Sequence, residues 1–328
     1  MATNFTTSTQ GGQKEDLANY ISNISRDMTP FLSSIGKGKA TAKLHEWSTD
    51  TLATASLNAN IEGSSFAQSD APVVQSLNNR CQIFTKGVRV SGTLEVVDKA
   101  GRKSEFKYQT EKRGKEMMRD VEKTLVSRQI STASVSSTSG NVIAGARLMG
   151  GYQSYAGVGV VAGTAAAPTG TGSVVGSGDG SDVNLEATAF TDAAFTLADI
   201  NEVLRQINGE TTSAPSKVMM STANKVKFSD LMTSTSNVRR NIDEKGKLRQ
   251  SVDLYESDFG DVELVHNYLM DDDSVFIYDP SAMSCNTLRP VQFRDINEDG
   301  DSLRAYMVQE ITFEAKSPTG NGVIVGIA

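Results

Sequence analysis

Two histidines, two cysteines and one tryptophan among 328 residues leave little material for chemistry, and each shortage removes a class of protein. His45 and His266 lie far apart in sequence without a triad arrangement nearby, and no G-x-S-x-G, H-E-x-x-H or C-x-x-C pattern occurs. Cys81 and Cys285 form no metal-type spacing and read as free thiols in a reducing compartment. No apolar run approaches the roughly 20 residues a membrane-spanning helix needs. The opening residues 1–10 are rich in Thr and Ser and lack a basic start and an apolar block, so no secretory signal is expected. A formal net charge of −7 argues against a protein that grips nucleic acid, because neutralising phosphates requires clustered Lys and Arg.

The same approach disposes of the glycine-rich stretch 131–189. A phosphate-binding loop needs a Lys followed by Ser or Thr at a helix start. This sequence has no Lys between Lys123 and Lys217, so the glycines are read as loop filler. Within the stretch, Arg147 to Tyr152 stands out as a locally ordered piece. One incomplete metal motif remains: Asp295, Asn297 and Asp299, followed by Gly300, match the first half of a calcium loop. The twelfth position should be a bidentate Glu, and it is Tyr306. Asp, Asn and Gly also suit a tight turn between two strands. No cofactor is expected.

What is present is a set of long elements with no core of their own. Lys14 to Ser25 has a helical stripe, which Pro30 is expected to end, with Phe31, Leu32 and Ile35 as a small apolar anchor behind it. Residues 45–93 read as a two-legged excursion. An outgoing strand runs from Leu44 to Thr49 with Trp47, and a returning alternating strand runs from Arg80 to Thr93. Between the legs, Leu52 to Asn79 is small and polar apart from Phe66 and a Val73–Val74 pair. Such a stretch is too long for a plain turn. Residues 103–130 predict a helix with Phe106, Met117, Met118, Val121 and Leu125 on one side. Lys112, Lys115, Glu116, Arg119, Asp120, Glu122 and Lys123 are assigned to the other.

The remainder reads as mixed α/β. Helices capped by Thr196 and Ser221 alternate with strands near 217–220, 252–257, 262–266, 275–278, 288–293 and 306–315, giving an α+β protein. Surface left uncovered in one chain must be covered by another, so the residues point to a polymerising protein. An extracellular adhesion or tail-fibre module is the alternative reading, although the internal repeats such a module carries are absent.

In order along the chain, Thr29-Pro-Phe31 with Ile35-Gly36, His45-Glu-Trp47 with Asp50-x-Leu52, and Glu62-Gly63 are followed by Ala100-Gly-Arg102-x-Ser-Glu105-Phe-x-Tyr-Gln109. That run continues into Lys115-Glu116-x-x-Arg-Asp120-x-Glu122. Ser257-Asp-Phe-Gly260, Leu288-Arg-Pro290, Gly300-Asp301 and Gln309-Glu310 complete the set. With these motifs the sequence resembles the major head proteins of tailed bacteriophages, in the podophage-type branch with the HK97-like fold. The likeness is weakest over 131–189.

The resemblance implies an N-terminal arm (1–44), an extended loop (45–93) and a peripheral domain (94–150) with its spine helix at 103–130. It further implies an axial domain (151–283) and a return to the periphery (284–328). It implies assembly with copies of itself, as hexamers and pentamers, into an icosahedral shell around double-stranded DNA held without sequence specificity. A portal is expected as a partner and a membrane is not; the virion capsid would form in the host cytoplasm. The inter-subunit contacts it suggests are Phe31, Trp47, Asp50, Glu62, Phe66, Arg113, Lys115, Glu116 and Arg119.

Two departures from relatives shape the expectations. Some relatives cross-link through a lysine in the extended loop, but no Lys lies between Lys43 and Lys86, so a non-covalent shell is expected. No long helical scaffold segment precedes the arm, so a separate scaffolding protein is expected. Deleting 52–79 is expected to leave a folded subunit that fails to assemble.

Overall fold

The computed structural model describes residues 28–50, 52, 55, 57–65, 74–98, 103–140, 142–162, 194–210, 214–234, 253–296 and 300–327. The expected helix from Lys14 to Ser25 and the residues Phe66, Val73, Asn297 and Asp299 lie outside them.

Among the described residues the first element is a one-turn helix, α1 (Pro30–Ser34), followed by β1 (Gly36–Lys39) and a hairpin of β2 (Leu44–Thr49) and β3 (Gln75–Arg80). Pro30 starts this helix. It occupies the first turn, where its missing N–H costs nothing. Next come β4 (Gln82–Ser91), α2 (Gly92–Val96) and the long α3 (Glu105–Val126). Ser104 caps α3 by accepting a hydrogen bond from the Lys107 amide at 3.2 Å. Its 22 residues give a rod of about 33 Å, shorter than the expected span because the chain turns extended at Ser127.

The second half alternates strand and helix: β5 (Val158–Val161), α4 (Leu197–Glu210), β6 (Lys217–Met220) and α5 (Thr222–Ser234). β7 (Leu254–Ser257), β8 (Gly260–His266), β9 (Ser274–Tyr278) and the long hairpin β10 (Met283–Ile296) and β11 (Ser302–Ala315) follow, and β12 (Gly322–Val325) ends the chain. The caps read from sequence are present. Thr196 donates through both its amide and its hydroxyl to Asp199, at 2.9 and 2.7 Å. Ser221 accepts from the Asn224 amide at 3.2 Å.

Two main sheets result. The four-stranded sheet has the order β1-β10-β11-β4, and the six-stranded sheet runs β5-β12-β9-β6-β8-β7. Pro290, which cannot donate to a ladder, falls where the β10–β11 register slips and beyond the reach of β1. β2 pairs with β3 and not with the expected returning strand, which is β4 of the four-stranded sheet, and four strands escaped the sequence reading: β1, β3, β5 and β12. The last matters most, because it lies between β5 and β9 in the six-stranded sheet, away from β10 and β11. Within 284–328, β10 and β11 thus belong to the four-stranded sheet and β12 to the six-stranded one. Gly157, taken as loop filler, is a close-packing glycine: a Cβ there would come within 2.4 Å of the Pro318 backbone.

The core between the sheets is aromatic and methionine-rich. Phe31 and Tyr278 meet edge-on at 5.2 Å, Tyr152 and Phe276 pack at 4.4 Å, and Met117, Val121 and Leu125 of α3 close the layer. A second core lies under α4 and α5, around Ile200, Val203, Ile207, Val218 and Phe228.

Candidate assembly surface

The β2–β3 hairpin is fastened at its root and bare at its tip. At the root, the Trp47 indole N–H donates to the Ala315 carbonyl at 2.8 Å, and its ring packs 5.7 Å from Tyr155. Asn79 is fully buried; its amide donates to the carbonyls of Phe313 and Gly150 while its oxygen accepts from the amides of Gly150 and Arg80. The His45 Nε2 sits 3.0 Å from Glu314 Oε2 and 2.8 Å from the Asn286 side-chain nitrogen. Asn286 and Ser284 also donate to Glu314. Burial pushes the Glu314 carboxyl up, but these hydrogen bonds and the adjacent imidazole outweigh it, and the net direction is downward.

This clasp depends on a missing side chain. β1 runs parallel to β10, and a Cβ on Gly38 would sit 2.0 Å from the Asn286 side-chain oxygen. Glycine there leaves Asn286 room to reach His45 and Glu314.

Beyond Thr49 the chain leaves the body. Leu52 is 99 % exposed, Leu57 105 % and Ile61 83 %, values that mean almost no cover from their own subunit. Asp50 and Glu62 are exposed on the same excursion. Large apolar side chains left this bare on one excursion suit an interaction surface.

The structure corrects one of the suggested contacts. Phe31 is fully buried in its own subunit, among Tyr152, Tyr278 and Phe313, and has no surface to offer a neighbour. Trp47 is partly buried against its own subunit's core and donates to the Ala315 carbonyl. Glu122, assigned to the charged side of the spine helix, is also fully buried. Its carboxylate accepts from the amides of Phe31 and Leu32, both at 2.8 Å, and from the Asn267 side chain at 2.6 Å. It thereby caps α1 from ninety residues away. Burial pushes its carboxyl up against the lowering effect of those three donors.

The remaining charges of α3 divide in two. Lys86 pairs with Asp120 at 2.6 Å, Lys123 with Asp271 at 2.7 Å, and Arg128 beyond the helix end with Asp273, tying strand and loops to the rod. Arg113 pairs along the helix with Glu116 at 2.6 Å, Lys115 is exposed, and the Arg119 guanidinium lies 5.8 Å over the Tyr268 ring.

As for chemistry, Cys81 and Cys285 are free and buried, and burial pushes their thiols up to about 11 and about 12. Such thiols are poor nucleophiles and poor ligands at neutral pH. Asp295 lies in β10 opposite Ala305, while its two partners in the calcium-like motif fall outside the described residues. Among the described residues no group of three or more His, Cys, Asp or Glu could hold a metal ion.

The family model for the SU10 major capsid protein matches residues 1–328. The chain belongs to that family. The major capsid protein of Escherichia phage Phieco32 is 28 % identical over 333 residues, covering 96 % of this chain and 94 % of that protein. In fold, this capsid protein is similar to the Cyanophage A-1(L) capsid, with a TM-score of 0.68 at 13 % identity over 96 % of this chain and 97 % of that one. It is also similar to the capsid of a native GTA particle, with a TM-score of 0.62 at 9 % identity over the whole of both chains. The fold is the HK97-like capsid fold, as the resemblance implied, and the protein forms the icosahedral capsid of a phage virion. Nothing supports the adhesion-module alternative.

Proposed function

We propose that the subunits assemble as hexamers and pentamers held without covalent links, each extended loop lying on an adjacent subunit. The observation that carries this reading is the contrast within one hairpin. Its root is locked by buried hydrogen bonds, and its tip presents Leu52, Leu57 and Ile61 to solvent. Removing apolar surface from water is worth about 25 cal/mol per Å². A rigid root also means that little conformational freedom is lost when the tip docks. The absence of lysine between Lys43 and Lys86 supports the non-covalent part.

In this reading residues 1–44 act as an arm, 45–93 as the intersubunit loop, 94–150 with β10 and β11 as the peripheral domain, and 151–283 with β12 as the axial domain. The chain performs no catalysis. A separate scaffolding protein, a portal and double-stranded DNA bound without sequence preference are the partners that the family likeness implies, with assembly in the host cytoplasm.

The deletion test must respect the hairpin: removing residues up to 79 would take out β3 and the buried Asn79. Replacing 52–73 by a short Gly-Ser linker keeps both strands. We expect folded subunits that fail to form shells, read by sedimentation and electron microscopy; normal shells would overturn the assignment.

A further inference from the structure

We propose that Glu122 is a proton-sensitive catch on the arm. With its carboxylate ionised it holds α1 to the spine helix, and on taking up a proton from water it releases the Leu32 amide. The site joins three parts of the chain that lie far apart in sequence. Oε1 of Glu122 accepts from the Phe31 amide at 2.8 Å and from the Asn267 side chain at 2.6 Å, while Oε2 accepts from the Leu32 amide at 2.8 Å. The main-chain amide of Asn267 donates to the Met220 carbonyl at 2.9 Å. One carboxylate thus ties the arm's anchor and the spine helix to the six-stranded sheet.

Every partner of this carboxylate is a donor. Ionised, it offers about four acceptor sites, enough for all three; protonated, it must also place an O–H of its own. The amides of Phe31 and Leu32 are main-chain donors and cannot reverse. Asn267 could turn its oxygen round only by dropping the Leu269 amide, which that oxygen holds at 3.0 Å. A proton on the carboxyl therefore finds no acceptor in place, and an unmade hydrogen bond in a fully buried site is costly. Oε2 carries a single donor, so it is the oxygen that takes the proton. Phe31 is kept in place by its buried ring, and half-buried Leu32 is the partner that moves.

No opposite charge steadies the ionised form. Among the described residues Glu122 makes no ion pair: Lys123 beside it pairs with Asp271 at 2.7 Å, and the Arg119 guanidinium lies 5.8 Å over the Tyr268 ring. On β9, Tyr278 meets the Ser34 hydroxyl at 3.0 Å, and burial pushes its own hydroxyl well up, so it stays neutral. Lys217 and Glu263, on the adjacent strands β6 and β8, pair with each other at 3.1 Å. α1 brings no titratable group, and His266, next to Asn267, is exposed at the end of β8. Burial pushes the Glu122 carboxyl above its ordinary 4.5, outweighing the three donors, so it takes up a proton at milder acidity than a free glutamate.

The test is amide hydrogen exchange at single residues in full-length, unassembled subunits, with the intrinsic effect of pH on exchange divided out. As pH falls from about 7.5 towards 4.5, protection at Leu32 should drop by about tenfold or more. The folded carboxyl lies above its ordinary value, so the folded chain binds this proton first. Over the same interval the site therefore makes the whole subunit more stable, not less. Local release without global loss separates a catch from acid unfolding. Glu122→Gln should begin with low Leu32 protection and show no pH response, while His266→Gln should respond as the parent does. Unchanged protection in the parent, a fall that persists in Glu122→Gln, or one that vanishes in His266→Gln would overturn the proposal. If Glu122→Gln does not fold, the parent alone decides. Its Glu122 carboxyl carbon, followed by NMR, must titrate together with the loss of Leu32 protection, and separate transitions would refute the catch.

Discussion

Replacing Phe31 by Ala asks whether the arm's anchor belongs to its own subunit or to the shell. The ring is fully buried, with Tyr278 at 5.2 Å, Tyr152 at 5.8 Å and Phe313 at 6.1 Å. Truncating a Phe in such a site costs about 3–5 kcal/mol, from lost transfer energy and the cavity left behind. At about 2 °C per kcal/mol for a chain of this size, unassembled subunits should melt roughly 6–10 °C lower. The backbone amide of Phe31 is also a donor to Glu122, so the two sites should be coupled. Glu122→Ala leaves the amides of Phe31 and Leu32 and the Asn267 side chain without their acceptor, at about 1–3 kcal/mol for each donor that stays buried. In the double variant α1 has already lost its hold, so the two losses should sum to less than the separate costs. Thermal and urea denaturation of unassembled subunits, beside shell yield, measure this. If Phe31→Ala subunits melt within about 2 °C of the parent and only shell formation suffers, the side chain works between subunits and the structural assignment is wrong.

Gly38→Ala should push the Asn286 side chain out of the His45–Glu314 clasp, lowering subunit stability by about 1–3 kcal/mol; Asn286→Ala combined with it should add little. Glu314 has its carboxyl held below the ordinary value of 4.5, so its contribution is fully present above that pH and is lost as pH falls through the folded value. Unassembled wild-type subunits should therefore lose more stability than Glu314→Gln subunits as the pH falls below 4.5; parallel acid-titration curves would contradict this. Mature particles boiled in denaturant should run as single chains on electrophoresis, and a ladder of linked subunits would refute the non-covalent shell.

Much of the fold was legible because it repeats a simple period. The alternation around Leu44 to Thr49 and in β4 gave strands, and the stripe of Met117, Val121 and Leu125 gave the spine helix. Asp and Gly within 295–301 gave the connection of the long hairpin, although Asp295 and Ile296 still belong to β10. β1 was not legible, because Gly-Lys-Gly-Lys has no apolar alternation and becomes a strand only by pairing with the edge of β10. β5 sits in a glycine-rich stretch whose composition mimics a loop, yet β12 and α4 cover it.

The sequence by itself determined that this chain would need its neighbours. It holds a long acidic excursion with no core of its own, a spine helix and almost no residues suited to catalysis, all set by composition and local period. Tertiary structure alone decided which of those residues face inwards. Phe31, Trp47 and Glu122 look like surface features because their partners lie about ninety to 270 residues away. A carboxylate becomes a core residue only when distant amides arrive to bind it, and no local pattern records that arrival.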